Sequence, residues 1–312
     1  MRNRFAIIMP VYNRSWVLEN ALQSVAEQIY RPIQLIIADN GSTDNSKQIA
    51  SDFKKKNCSD DFEIILTEEK KAGACAARNR GLKEVDADYL MFFDDDDLLA
   101  PDAVSRIMHV FATQGPDIVG FTATYKSGIT ITPKKSCFST DPVDQINHCM
   151  LATQCFAVKT NLLKKTGTWD EDLMRWQDWN FGIRILLTVP SVIWIKRPAL
   201  VVINRHCNSI SGNGFLHSEK ELEKTILKTI MAVNESRHPL KERYKKLIYC
   251  RLLILAAQYR REGDKNAAKR ALMLYLHNIP MNVPLKLFSY IIYTYIILGG
   301  RGAGQIFKKV FL

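Results

Sequence analysis

At 312 residues the chain can bury a large core and suits one large domain with an appendage. Its formal charge of +11 sits at one end: residues 237–312 hold 15 Lys or Arg against 3 acids, a net of +12, which leaves residues 1–236 at −1. A neutral front portion argues against a general nucleic-acid binder, and seven scattered cysteines with no CxxC pair argue against a disulfide framework and for a reducing compartment.

The chain starts Met1-Arg2-Asn3-Arg4 and enters an apolar run at Phe5, with no apolar signal segment ahead of it. Phe5–Val11 predicts a buried strand, and Ser15 is placed to cap a helix through about Ile29. Ile33–Asp39 reads as a second strand, followed by a helix capped within Ser42-Thr43-Asp44 and running to about Lys56. Phe62–Leu66 predicts a short third strand, Ala72–Val85 a helix, and Tyr89–Phe93 a fourth strand. A helix over Asp102–Gln114 and a strand over Ile118–Tyr125 complete the alternation. Continuous apolar strands separated by helices imply an α/β fold, a mostly parallel sheet with helices on both faces.

Further along, Gly128–Pro133, Thr153–Lys159, Val192–Ile195 and Leu200–Asn204 read as strands. Trp176–Thr188 reads as a helix with Trp176, Trp179, Ile183 and Leu187 on one face. A Gly-Asn-Gly break at 212–214 precedes an all-helical region with helices at Ser218–Ser236, Leu240–Arg261, Lys265–Leu276 and Pro284–Leu298. The expected division is therefore residues 1–215 and 216–312.

The most informative stretch is Asp94-Asp95-Asp96-Asp97, directly after the Tyr89–Phe93 run. Pro101 reads as the first position of the next helix, so the four acids are expected on a strand-to-helix turn, where open α/β sheets bind ligands. Crowded carboxylates are costly unless a cation neutralises them. Hard oxygen ligands favour Mg²⁺ or Mn²⁺, shared with substrate phosphates. A solvated acidic loop or a plain helix cap is the other reading.

Three more segments carry polar groups at strand or helix ends. Pro10-Val11-Tyr12-Asn13-Arg14 offers an aromatic ring, an amide and a guanidinium. Asp39-Asn40-Gly41-Ser42-Thr43-Asp44 offers a strand-end acid of the kind that accepts from a nucleotide's base or ribose. Ala77-Arg78-Asn79-Arg80-Gly81-Leu82 has small residues for close packing and an arginine, Arg78, that can face an anion. Each alone is a common pattern.

Together, in this order and spacing, the four segments make residues 5–210 resemble inverting family 2 glycosyltransferases of the GT-A fold. The resemblance implies that Pro10, Tyr12, Arg14, Asp39, Arg78, Asp94 and Asp95 hold the nucleotide-sugar donor. It implies that Asp96, in a DxD string with Asp94, binds Mn²⁺ or Mg²⁺ bridging the diphosphate. Met174-Arg175-Trp176-Gln177-Asp178 follows a Gly167-Thr168-Trp169-Asp170-Glu171 turn, as in the family. Asp178 thereby takes the place of the general base, with Gln177 where Glu is commoner. In Arg205-His206-Cys207-Asn208-Ser209-Ile210-Ser211 the resemblance assigns His206 to the metal or diphosphate.

The implied activity is sugar transfer from a UDP-linked donor to a hydroxyl of a glycan or lipid-linked acceptor, in surface polysaccharide synthesis. A nucleotidyltransferase would carry a Gly-rich basic loop after the first strand, which Pro10–Arg14 lacks. A catalytically silent glycan-binding scaffold would not need the acids. The basic C-terminal helices admit two readings, a surface on the cytoplasmic face of an anionic membrane or a packing and homodimer module. The apolar part of Leu285–Leu298 is too short to span a bilayer.

Overall fold

The computed structural model describes residues 3–134, 136–206, 215 and 218–311. In chain order, β1 (Phe5–Val11), α1 (Leu18–Ala26), β2 (Ile33–Asp39), α2 (Ser46–Asn57), β3 (Phe62–Glu68), α3 (Ala74–Leu82) and β4 (Tyr89–Phe92) alternate as expected. Then come β5 (Leu98–Leu99), α4 (Ala103–Gln114), β6 (Ile118–Phe121), β7 (Ala123–Ser127), β8 (Thr130–Pro133) and α5 (Pro142–His148). A 3₁₀ turn at Thr153–Cys155 leads into β9 (Phe156–Lys159), α6 (Thr160–Thr166), α7 (Gln177–Leu186), β10 (Val192–Ile195) and β11 (Val201–Asn204). Five helices close the chain: α8 (Glu219–Glu235), α9 (Lys241–Arg261), α10 (Lys265–Asn278), α11 (Val283–Ile297) and α12 (Ala303–Phe311).

Seven strands form one sheet in the order β10-β6-β9-β4-β1-β2-β3, parallel except for β9, which runs antiparallel to both neighbours. Every residue of β1 and β2 is buried, which is why both read as unbroken apolar runs. Pro10 is tolerated in a central strand because of its position. The last β1 carbonyl that β4's side of the ladder uses is that of Ile8, which accepts from Phe93 N at 2.9 Å, so the missing N–H of Pro10 falls beyond that pairing. A second sheet, β5-β11-β7-β8, stands beside the first.

Several expectations are corrected. The four aspartates do not lead straight into a helix. They are followed by β5, a two-residue strand paired with β11, and Pro101 lies in the turn before α4. The apolar run Ile118–Tyr125 is two strands in two sheets: β6 pairs with β9 and β10, β7 with β11 and β8. Neither Ser15 nor Ser42 caps a helix; α1 begins three residues after Ser15 with no side-chain cap. Helices α5, α6 and α12 had no expectation. The Gly-Asn-Gly break, and the end of the string after His206, lie outside the described residues.

The chain packs as two units. The first comprises Met1–Thr140, Met150–Met174 and Thr188–Ser209; the second Asp141–Cys149, Arg175–Leu187 and Ile210–Leu312. The expected boundary at 215 thus separates the cores only in part, because α5 and α7 bury Val143, Ile146, Trp179 and Ile183 with the C-terminal helices. In that second unit α9 is the hub. Helices α8, α10, α11 and α12 all pack on it, and Leu247, Ile248, Leu252, Leu253 and Tyr259 are buried along it. No disulfide joins the six described cysteines to one another.

Helix α3 lies close on β1 and β2 because Gly81 has no side chain. A Cβ there would stand 2.6 Å from Ile8 Cγ2 and 3.5 Å from Ile36 Cγ2, both fully buried. Alanine would gain up to about 1 kcal/mol of helix propensity. Overpacking of about 1–3 kcal/mol opposes it. Gly81→Ala should therefore lower the unfolding temperature in a thermal scan; an unchanged or raised temperature would show that α3 is not held this tightly.

Candidate active site

Parallel pairing delivers the carboxyl ends of β1, β2 and β4 to one edge of the sheet. The loops after β1 and β2 are stitched together there. Asn13, at φ +52, accepts from Thr43 N through Oδ1 at 2.8 Å and donates its own N–H to Ser42 Oγ at 3.0 Å. Arg14 N donates to Ser46 Oγ at 2.8 Å and Ser15 N to Asp44 Oδ2 at 3.0 Å. Tyr12, beside them, is 57% exposed.

Asp39 ends β2 and is buried. Its Oδ2 accepts from Gly41 N and Ser42 N, each at 3.0 Å, with Lys47 Nζ 3.5 Å away. Its Oδ1 is buried and has no hydrogen-bond partner among the described residues. An acceptor left open at this edge is a place for a ligand's N–H or O–H.

The four aspartates after β4 divide their work. Asp94 pairs with Arg78, Nη2 to Oδ1 at 2.9 Å; the Arg78 guanidinium is almost fully buried and lies 4.7 Å over the Trp169 ring. Asp95 is buried and receives Arg14 Nε at 3.2 Å. Asp96 Oδ2 lies 2.7 Å from His206 Nε2 and 3.8 Å from Arg14 Nη2. The His206 ring meets Trp16 edge-on at 5.0 Å. Asp97 faces inward: it accepts from Asn204 N at 2.9 Å and Gln154 Nε2 at 2.7 Å and so ties β4 to β11.

The turn is electrostatically loaded. Burial, and next the charge of Asp96, push the Asp95 carboxyl up to about 8, against the pull of Arg14. Burial and Asp94 raise Asp96, with His206 opposing. Burial raises Asp97 well above the usual carboxylate range. These acids favour a proton or a cation over standing ionised beside one another.

The chemistry of the donor set fits a hard or borderline divalent ion. Asp96 Oδ2 and His206 Nε2 face each other at 2.7 Å, and the lone pairs of those two atoms are the ones an ion would take. Among the described residues no three His, Cys, Asp or Glu side chains converge as a ready-made cage. Phosphate oxygens and water would have to supply the remaining positions, as is usual for Mg²⁺.

The first unit thus gathers Pro10, Tyr12, Arg14, Asp39, Arg78, Asp94, Asp95, Asp96 and His206 around one sheet edge. Asp178 is not among them: it sits in the second unit, in the first turn of α7, partly buried. Its Oδ1 accepts from Trp179 N at 2.9 Å, and its carbonyl receives Gln145 Nε2 at 3.2 Å. Trp176, the residue before the helix, takes the left-handed conformation at φ +54, and the Arg251 guanidinium lies 4.8 Å over its ring.

Several supporting side chains have no role in the motifs. Asn79 exchanges two hydrogen bonds with the Trp169 backbone, at 2.9 and 3.0 Å, and so docks the Gly167–Glu171 turn onto α3. Asn204 Nδ2 donates to Asp96 O at 2.5 Å. A polar residue inside an otherwise buried helix, or at the very end of an apolar strand, was the available signal for both.

Comparison with known proteins gives the following. The family described as "Glycosyl transferase family 2" matches residues 6–167. Glycosyltransferase GlyA of Streptococcus pneumoniae is 33% identical over 116 residues, 37% of this chain and 16% of that protein. The GalNAc(5)-diNAcBac-PP-undecaprenol beta-1,3-glucosyltransferase of Campylobacter jejuni is 30% identical over 105 residues, 34% of this chain and 33% of that one. The chain thus spans a third or less of the length of these curated relatives. Among solved structures, S. aureus TarS 1-349 with UDP-GlcNAc superposes at a TM-score of 0.72, 17% identity, covering 89% of this chain and 82% of that one. The mannosyltransferase PcManGT of Pyrobaculum calidifontis, with GDP-Man and Mn²⁺, superposes at 0.58, 18% identity, covering 99% and 87%. At such identities the likeness is one of fold.

A pH test follows from Asp95. An unfolded aspartate ionises near 4. With the folded value raised to about 8, the folded chain holds the extra proton between those values, so stability falls as pH rises through that window. In chelator the unfolding temperature should drop from pH 5 to pH 8. Asp95→Asn, neutral throughout, should flatten the drop, and equal slopes in the two proteins would remove Asp95 as its source.

Proposed function

We propose, from the premise that this chain belongs to glycosyl transferase family 2, that it moves a sugar from a nucleotide-diphosphate sugar to a hydroxyl of a glycan or lipid-linked acceptor, with inversion. The donor is a UDP-sugar and the setting surface polysaccharide synthesis. One observation carries the reading: a carboxylate turn, Asp94–Asp96, held by Arg14, Arg78 and His206 at the ligand-binding edge of a parallel sheet. The UDP-GlcNAc bound by the structurally similar TarS supports the donor class. A further relative, the minor teichoic acid biosynthesis protein GgaB of Bacillus subtilis, 31% identical over 109 residues, supports the setting.

In this reading Asp39 Oδ1 accepts a hydrogen bond from the base or ribose, and Tyr12 stacks beside it on the base. Asp95 lies near the ribose. Asp96 and His206 would hold Mn²⁺ or Mg²⁺, whose charge, when bound, neutralises the diphosphate as it leaves. Arg14 and Arg78 keep the acids and the phosphates in register by pairing with Asp95 and Asp94. Asp178 takes the proton from the acceptor hydroxyl. The oxygen then forms its bond to the anomeric carbon while the bond from that carbon to the diphosphate breaks on the opposite side.

Two substitutions test this. Asp178→Asn keeps the shape and removes the proton acceptor, so turnover with an acceptor should fall about 10²–10⁴-fold while donor binding, followed by calorimetry, stays near the original. Lost donor binding with turnover per bound donor preserved would make Asp178 a binding residue. Asp96→Ala should abolish both the transfer and the rise in unfolding temperature that Mn²⁺ gives the parent protein. A mutant that still turns over UDP-sugars in excess chelator would remove the metal from the reading.

A further inference from the structure

The second unit carries an apolar face that none of the described residues covers. Helix α11 is pinned on its inner side: Asn282 Oδ1 caps it by accepting from Leu285 N at 3.0 Å, and Ile292 and Ile296 are buried against the core. Ser289 Oγ meets Tyr275 OH at 2.8 Å. On its outer side Val283 is 70% exposed, Leu287 59%, Ile291 65% and Leu298 81%. Positions 283, 287, 291 and 298 fall on one line of a 3.6-residue period, with the hydroxyl residue Thr294 between the last two and Tyr290 exposed beside it. The stripe is about 22 Å long at 1.5 Å per residue. A soluble surface scatters such residues singly; a continuous row marks an interaction site.

The charge of the C-terminal segment that carries α11 says what covers the row. No Asp or Glu follows Asp264, whereas seven Lys or Arg do. Six of these, Lys265, Lys269, Arg270, Lys286, Arg301 and Lys309, are exposed, with Glu219 Oε1 3.6 Å from Arg270 Nη2; the seventh, Lys308, pairs with Asp144 at 2.7 Å. Lys286 sits on α11 at the rim of the stripe. A second copy would bring the same excess of positive charge to the same place. An anionic lipid surface would meet the bases with phosphates and the stripe with acyl chains. No described helix is long and apolar enough to cross a membrane, and α11, at 15 residues, falls short of the ~20 a span needs.

We infer that the outer face of α11, with the exposed bases of the same C-terminal segment, is a docking surface for an anionic bilayer, on which the helix lies in the plane of the interface rather than across it. Each base near such a surface adds attraction that salt screens, and the stripe adds attraction that salt does not. The inference is independent of the sugar, the acceptor and the catalytic residues.

The experiment is co-sedimentation of the full chain with vesicles of phosphatidylglycerol mixed with phosphatidylethanolamine, against vesicles of phosphatidylcholine alone. The protein should pellet with the anionic vesicles at low salt and release in part at high salt. Leu287→Glu with Ile291→Glu, both at exposed positions, should keep the native circular dichroism and weaken vesicle binding about 10-fold or more, since insertion depends on apolar area. Lys286→Gln with Arg301→Gln and Lys309→Gln should weaken it at low salt and change it little at high salt. Binding by the Glu variant equal to that of the parent would overturn the inference. So would a parent protein that ignores anionic vesicles. A dimer in analytical ultracentrifugation that the Glu pair abolishes, with no vesicle binding, would make the stripe a self-interface instead.

Discussion

Four carboxylates cannot stand side by side at the end of a buried strand without answers, and the loops of the first unit are those answers. Arg78 comes from α3 for Asp94, Arg14 from the end of β1 for Asp95, and His206 from beyond β11 for Asp96. Asp97 receives neutral donors, Gln154 and the Asn204 backbone. The partners come from several pieces of chain, with Arg14 serving both Asp95 and Asp96. The charge problem at one turn therefore draws together segments more than a hundred residues apart. The neutralisation is incomplete, as the upward shifts of Asp95, Asp96 and Asp97 show, and incomplete neutralisation is what leaves the turn receptive to a cation.

Asparagines do the joining between those pieces. Asn13 links the loops after β1 and β2. Asn40 donates to the carbonyls of Glu69 and Lys71 and accepts from Gly73 N, which fixes the approach to α3. Asn79 holds the Trp169 backbone, and Asn204 holds that of Asp96. A side-chain amide presents a donor and an acceptor in the same plane, as a peptide does, and so can complete a ladder where the strands have ended. Aspartate would lose the donor and serine the reach.

What the sequence made legible follows from which forces are local. The strands β1 and β2 could be bounded to the residue because both faces of each are buried and the apolar run is uninterrupted. The run over Ile118–Tyr125 was equally apolar, yet it crosses from one sheet to the other at Thr122. The pairings that split it, to β9 and to β11, come from residues far along the chain. The pair of residues in β5 has no periodicity at all and exists only because β11 lies beside it. Of the four aspartates, the inward role of Asp97 could not be separated from the others by pattern, since it depends on Gln154 and Asn204. The open Oδ1 of Asp39 is likewise a property of its surroundings. The motif order brings these segments to one edge of the sheet; only packing distinguishes which oxygen is satisfied.

The C-terminal helices looked like an appendage because they carry no catalytic string. Their packing says otherwise. Helix α7, with Asp178 in its first turn, is built into the same core: Asn180 Nδ2 donates to Thr229 Oγ1 at 2.8 Å, Thr225 Oγ1 to Arg175 O at 2.8 Å, and Arg251 lies over Trp176. Trp176 is held at a positive φ that costs a bulky residue free energy, and a strained conformation persists only where its neighbours enforce it. Here those neighbours are α5, α8 and α9. A chain cut near residue 236 would lose α9, the hub on which α8, α10, α11 and α12 pack, and with it the support of the segment that carries Asp178. The basic region and the candidate base are thus one folding problem. Any role of the C-terminal surface has to be probed by substitutions on its exposed face, because removing it removes the core beneath.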